Sequence, residues 1–187
     1  MSKLDELMTK YCPDGVFPCK LEELLGYEQP TAYIVKSTEY NDSYLTPVLT
    51  AGQSFILGYT NETDGIYKAS KDNPVIIFDD FTTGFHWVDF DFKVKSSAMK
   101  MLRPIGDKAI FRYVYYAMQN IHFIPSEHAR HWISKYSQFE IPLPPIPVQQ
   151  EFVRILDYLI DLQDNIQQEL EARKKQFEYY REHLLAF

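Results

Sequence analysis

The sequence predicts an α+β fold in two parts: a β-rich body over residues 1–147 and one long C-terminal coiled-coil helix over residues 148–187. Three observations predict it. From about residue 32, Tyr, Val, Ile, Thr and Phe dominate short runs broken by Gly, Asn, Asp and Pro, the texture of antiparallel strands with polar connections. Pro142, Pro144, Pro145 and Pro147 put four prolines into six residues, which neither a central strand nor a helix interior tolerates. Beyond them, residues 148–187 contain no Pro or Gly and carry a heptad pattern.

Residues 2–11 read as a short helix, with Ser2 and Asp5 at capping-box spacing and Leu4, Leu7, Met8 and Tyr11 on one face. Residues 12–15, Cys-Pro-Asp-Gly, form a turn. Residues 16–20 suit a strand, and residues 21–25 a helical turn stopped by Gly26. Strands are expected at residues 33–35, 46–49, 54–59 and 74–78. Residues 87–95 alternate, which places Val88, Phe90, Phe92 and Val94 on one face and Asp89, Asp91, Lys93 and Lys95 on the other. Residues 108–120 read as a helix, with Ile110, Tyr113, Val114 and Ala117 near one face. A loop over residues 125–132 leads to a stiff, extended proline arm, where the domain boundary is placed.

The final segment repeats at a strict 4-3 spacing: Phe152, Leu156, Leu159, Gln163, Ile166, Leu170, Arg173, Phe177, Tyr180, Leu184 and Phe187. All but Gln163 and Arg173 are apolar or aromatic, and the positions between them are mostly charged or amide. Such a pattern makes a coiled-coil seam rather than an ordinary surface helix. A helix of this length runs roughly 55–60 Å, too long for the body to cover, so part of the seam wants a second helix.

Composition narrows the function. The 187 residues are 45% apolar and 24% charged, which suits a folded chain with its own core. Two cysteines, Cys12 and Cys19, are too few for a disulfide scaffold. No apolar run approaches the roughly 18 residues of a membrane span, and the N-terminus lacks an apolar signal core. No membrane association and a cytoplasmic location are therefore expected. The net charge of −7 argues against a simple basic nucleic-acid binder. Yet residues 93–112 carry Lys93, Lys95, Lys100, Arg103, Lys108 and Arg112 against Asp107 alone.

Catalytic signatures are sparse. The glycines are scattered singly, so no phosphate-cradling loop is present. His128 and His131 have ligand spacing without a third ligand nearby, and no metal or cofactor site is expected. Asp72-Asn73-Pro74-Val75 lacks the second proline and aromatic of a base-methylating clamp. Asp79 or Asp80, with Asp91 and Lys93, loosely fits a small metal-dependent nuclease, the alternative reading. A coiled-coil adaptor is a third. Binding residues are more plentiful. Residues 123–137 mix Arg130, Lys135, His and Trp rings and hydroxyls, and the 79–87 loop adds Thr82, Thr83 and His86.

The order of Cys12-Pro13-Asp14-Gly15-Val16, a β-rich body, Ile141-Pro142-Leu143-Pro144-Pro145 running through Val148-Gln149-Gln150-Glu151, and a heptad helix resembles the specificity (S) subunit of type I restriction-modification systems. The proline stretch entering the helix is the most specific element. Residues 48–53 and 89–100 also look like target recognition domains of that family. The resemblance implies a non-catalytic DNA-recognition subunit that reads one half of a bipartite double-stranded site. It docks methyltransferase subunits and, through them, the restriction subunit. An S subunit usually holds two recognition domains and two antiparallel helices, whereas this chain has one of each. It looks like a half subunit, natural or truncated, able to form a homodimer with a true twofold axis.

The DNA surface implied is Thr82, Thr83, His86, Lys93, Lys95, His128, Arg130, His131 and Lys135, with Gln53 as a weaker member. The dimer seam is Phe152, Leu156, Leu159, Ile166, Leu170, Phe177, Tyr180 and Leu184.

Overall fold

A computed structural model describes residues 2–52, 54–125 and 129–186. Helix α1 (Lys3–Tyr11) begins where the capping box closes: the Asp5 N–H donates to the Ser2 hydroxyl at 3.2 Å, and the Ser2 N–H donates to the Asp5 carboxylate at 2.8 Å. Nine strands follow along the chain: β1 (Pro18–Lys20), β2 (Leu25–Glu28), β3 (Thr46–Leu49), β4 (Ile56–Thr60), β5 (Val75–Asp79), β6 (Phe85–Val88), β7 (Lys93–Val94), β8 (Met99–Pro104) and β9 (Glu140–Pro142). Helix α2 (Phe111–Met118) lies between β8 and β9, and helix α3 (Ile146–Leu185) ends the fold. A β-rich body followed by one long helix is the predicted arrangement.

The centre is an antiparallel sheet in the order β2-β8-β5-β6. Its two faces carry two cores. Ile76 and Phe78 of β5 and Leu102 of β8 pack with Leu21, Val114, Met118, Trp132 and Tyr136. Val75 and Ile77 of β5 and Met99 and Met101 of β8 pack with Leu49, Tyr67, Phe92 and Val94. Covering on both sides explains why β5 reads as an unbroken apolar run rather than an alternation. A second sheet has the order β4-β3-β7, with β3 antiparallel to β4 and parallel to β7. Strands β1 and β9 form a separate antiparallel pair that holds the proline arm against the body.

Three expectations are corrected. Gly26 does not stop a helix but sits inside β2 opposite Arg103, and a Cβ there would meet Ile105 at 3.1 Å. Residues 33–35 are not a strand: a 3-10 turn (Pro30–Tyr33) is followed by one bridge, Ile34 to Val94. The 87–95 run breaks between β6 and β7, so its alternation does not persist. Phe90 turns outward, while Lys93 is buried beside Phe92 and Val94.

Pro147 sits in the first turn of α3, where its missing N–H costs nothing. The start of the helix is rooted in the body. Gln149 is buried, accepts the Ile110 N–H at 2.8 Å and donates to the Pro144 carbonyl at 2.8 Å. Glu151, also buried, pairs with Lys3 at 2.8 Å and Arg154 at 2.6 Å. Asp157 pairs with Arg112 at 3.0 Å and accepts the Tyr116 hydroxyl; Arg112 in turn lies over the Trp87, Tyr115 and Tyr116 rings. From residue 158 to residue 186 every position is exposed. Among the described residues, no helix is long and apolar enough to cross a membrane.

Candidate nucleic-acid interface

One end of the two sheets gathers four loops. The β5–β6 turn is tight: the Asp79 carboxylate accepts the Phe81 and Thr82 N–H groups, both at 2.8 Å, and Thr83 adopts φ +59°. Gly84 follows because a Cβ would stand 2.5 Å from the Ala51 carbonyl oxygen. The 50–55 loop therefore packs directly on this turn. His86 Nε2 donates to the Gly52 carbonyl at 3.0 Å, and the His86 ring lies against Phe55, centroids 4.6 Å apart. Ala51, Gly52, Thr82, Gly84, Phe85 and His86 line an open groove of about 530 Å³.

Asp80 joins the other two loops to this one. Its N–H donates to the Ala98 carbonyl at 2.8 Å, which fixes residues 95–98. Its carbonyl accepts the His131 N–H at 2.8 Å, and its carboxylate accepts the Trp132 N–H at 3.0 Å. The same carboxylate meets Lys100 at 3.2 Å, with both side chains buried, and Lys100 also donates to Gln29 at 3.1 Å. Trp132 on Asp80 Oδ1 and Gln29 on Lys100 support the pair from either side, and among the described residues Asp80 Oδ2 has the Lys100 ammonium alone against it.

The sequence-predicted residues divide accordingly. Thr82, Arg130 and Lys135 are exposed at this end. His86 is half-buried in the groove wall. Lys95 is half-buried where its N–H meets the Leu49 carbonyl, at the start of the 50–55 loop. Gln53 and His128 lie outside the described residues. Three others do not offer a surface. Thr83 is buried and donates to the Thr82 carbonyl. His131 is fully buried, its ring against Phe123. Lys93 is 1% exposed, pairs with Glu62 at 2.9 Å and donates to the Asp64 carbonyl at 2.7 Å. Burial would push the Glu62 carboxyl up, but the Ser37 N–H, the Lys93 ammonium and the Lys36 N–H outweigh it and hold it below its ordinary value. The correction to Lys93 is physical: the bend after β6 resets the alternation and turns Lys93 inward to anchor the 60–65 loop.

The basic stretch is also largely engaged within the fold, although only Lys93 and Lys100 are buried. Lys100 is buried with Asp80, Arg103 donates to Tyr67 at 2.6 Å and Asn73 at 2.7 Å, and Arg112 is held by Asp157. The nuclease set does not converge. Asp79 caps its own turn, Asp80 meets Lys100, Asp91 pairs with Lys68 at 2.6 Å, and Lys93 pairs with Glu62. Among the described residues, no three His, Cys, Asp or Glu side chains are grouped to hold a metal. Ser96 and Ser97, exposed on the 95–98 loop, join the candidate surface. They fall within residues 89–100, the segment whose likeness to target recognition domains is noted above, but as plain serines they were not singled out there.

The family model for the type I restriction modification DNA specificity domain matches residues 13–172, the body together with the first part of α3. The chain belongs to this family. It is 54% identical over its whole length to the type I restriction enzyme EcoR124I/EcoR124II specificity subunit of Escherichia coli, covering 48% of that protein. It is 32% identical over 71% of its length to a putative type I restriction enzyme specificity subunit of Haemophilus influenzae, covering 36% of that one. The chain thus spans about half the length, or less, of the curated relatives it matches. The type I S subunit from M. genitalium has the same fold, with a TM-score of 0.65 at 15% identity over 89% of this chain and 45% of that one. A chain solved in work on the assembly and conformational transition of the type I R-M system matches with a TM-score of 0.56, at 15% identity over 94% of this chain and 48% of its own.

Proposed function

We propose that this chain is the DNA-recognition element of a type I restriction-modification complex and reads one half of a bipartite site. The observation that carries the reading is its 54% identity, over its whole length, to a protein named as a specificity subunit. The loop cluster at one end of the body supports it. Four loops tied together through Asp80 and Gly84 form a preorganised, adaptable edge. Thr82, Ser96, Ser97, Arg130 and Lys135 supply the hydroxyl and cationic groups that meet phosphates and base edges.

The role is non-catalytic. Methyltransferase subunits dock on the chain and bring the restriction subunit with them. Residues 148–187 pair with a second copy, so that two bodies face two identical half-sites. The cytoplasm, where chromosomal DNA is met, is the place of action.

The test is methylome sequencing of cells that express this chain with its methyltransferase subunit. An inverted-repeat bipartite motif, modified only when the chain is present, is expected. Absence of any chain-dependent modification would refute the role.

A further inference from the structure

Residues 131–138 coil into a short helical turn against the central sheet. The Lys135 and Tyr136 N–H groups donate to the His131 carbonyl at 3.0 and 2.8 Å, and the Ser137 N–H donates to the Trp132 carbonyl at 2.9 Å. Trp132 and Tyr136, four positions apart, share the inner face of this turn. Each is 2% exposed, and their ring centroids lie 5.1 and 4.8 Å from that of Phe78 in β5. The Trp132 N–H on the Asp80 carboxylate pins the same turn to the loop cluster. Ile133, Ser134 and Lys135 are left facing solvent, with Arg130 exposed just before them.

Ile133 is 60% exposed. A single exposed apolar side chain is ordinary on a protein surface. The placing of this one is not. Buried rings hold its turn rigid, two exposed cations flank it, and it stands at the end of the body where the four loops meet. Leu45 makes the contrast: it is 92% exposed but precedes β3, whereas the 50–55 loop follows the other end of that strand. Ser134 donates its hydroxyl proton to the Arg130 carbonyl at 2.8 Å, so that donor of the tip is already engaged. The tip therefore offers an apolar contact bordered by positive charge.

Resting on the recognition reading above, we propose that Ile133 enters the major groove and reads one thymine of the half-site through its C5-methyl group.

Width selects the groove. A helical turn with its side chains is roughly 10–12 Å across. The major groove of B-DNA is about 12 Å wide and the minor groove about 6 Å, so the turn fits the first and not the second. Among the base edges exposed there, the C5-methyl is an apolar group that thymine alone carries. Set against an amino or carbonyl edge instead, Ile133 would strip water from a polar group and give it no partner. Arg130 and Lys135 suit the phosphates that border the groove on either side. The β-branched side chain has a stiff χ1, and its turn is already ordered, so little freedom is lost on contact.

The test uses the complex of this chain with its methyltransferase subunit and duplexes carrying the motif found by methylome sequencing. Each thymine of a half-site, on either strand, is replaced in turn by deoxyuridine. This removes the C5-methyl and leaves every hydrogen-bonding edge in place. At one position the parent complex is expected to bind about fourfold more weakly, the factor that one buried methyl contributes. Ile133→Ala should bind that duplex and its thymine counterpart equally while keeping the parent's thermal midpoint. Leu45→Ala should keep the parent's full response. A parent complex indifferent to deoxyuridine at every position, which needs no variant to measure, overturns the proposal. So does a deoxyuridine penalty that persists undiminished in Ile133→Ala. A parent complex that binds the motif no better than unrelated duplexes overturns the recognition reading itself.

Discussion

Asp80 orders the proposed DNA-facing end in two ways: its backbone N–H and carbonyl hold Ala98 and His131, and its buried carboxylate holds Trp132 and Lys100. Removing one member of a buried pair leaves the other charge uncompensated. Asp80→Ala is therefore expected to cost about 3–5 kcal/mol, read as a lower denaturant midpoint. Lys93 and Arg130 should separate in the assembled complex. Lys93→Met is expected to lower stability without changing the salt dependence of DNA binding. Arg130→Ala should leave stability intact. As a phosphate contact it would flatten the log–log salt slope by about 0.9, and as a base contact it would relax one position of the site at about 1–3 kcal/mol. An unchanged slope and an unchanged motif would remove Arg130 from the surface. The exposed members of the proposed surface, Thr82, Arg130 and Lys135, were legible as residue types in loops. The burial of Lys93 and His131 was not. Period-two reasoning holds only while the strand stays straight, and a ring in a polar loop carries no mark of whether Phe123 covers it.

At the scale of elements, α3 was the most legible and the central sheet the least. Heptad spacing and the absence of Pro and Gly define a long helix without tertiary information. Strand β8, Met-Lys-Met-Leu-Arg-Pro, has no β-branched residue, and β2 holds Gly26; both are strands because neighbours pair with them. The root of α3 carries a pH-sensitive tie to α1. The Arg154 guanidinium and Lys3 ammonium hold the Glu151 carboxyl down at about 2, below its ordinary 4.5. A depressed folded value contributes stability in full above the unfolded value, lost as pH falls from about 4.5 through about 2. Glu151→Gln should therefore flatten the acid limb of a stability-against-pH curve in that window, measured by circular dichroism. A limb identical to the parent's would deny the tie. Further along α3, Leu159→Lys with Ile166→Lys places four cations in the proposed dimer seam. The expected outcome is a folded monomer by light scattering, and a persisting dimer mass would place the interface elsewhere.

For the whole molecule, the proposed twofold makes a statement about DNA. Two identical bodies related by an antiparallel helix pair present the same four-loop edge twice, in opposite senses. The recognised site is then an inverted repeat, with a spacer set by the helices and half-sites read by direct contact and local shape. The overall plan was readable because texture changes mark its joints: the prolines before residue 148 and the seam after it. The base sequence was not readable, since no one-to-one code links loop side chains to bases. The most direct measurement is the methylation motif in cells carrying this chain and its methyltransferase subunit, with the Leu159→Lys/Ile166→Lys variant alongside. The expected result is a bipartite inverted repeat with the parent chain and no modification with the variant. A motif whose halves differ, or modification that survives the variant unchanged, would contradict recognition by a symmetric pair.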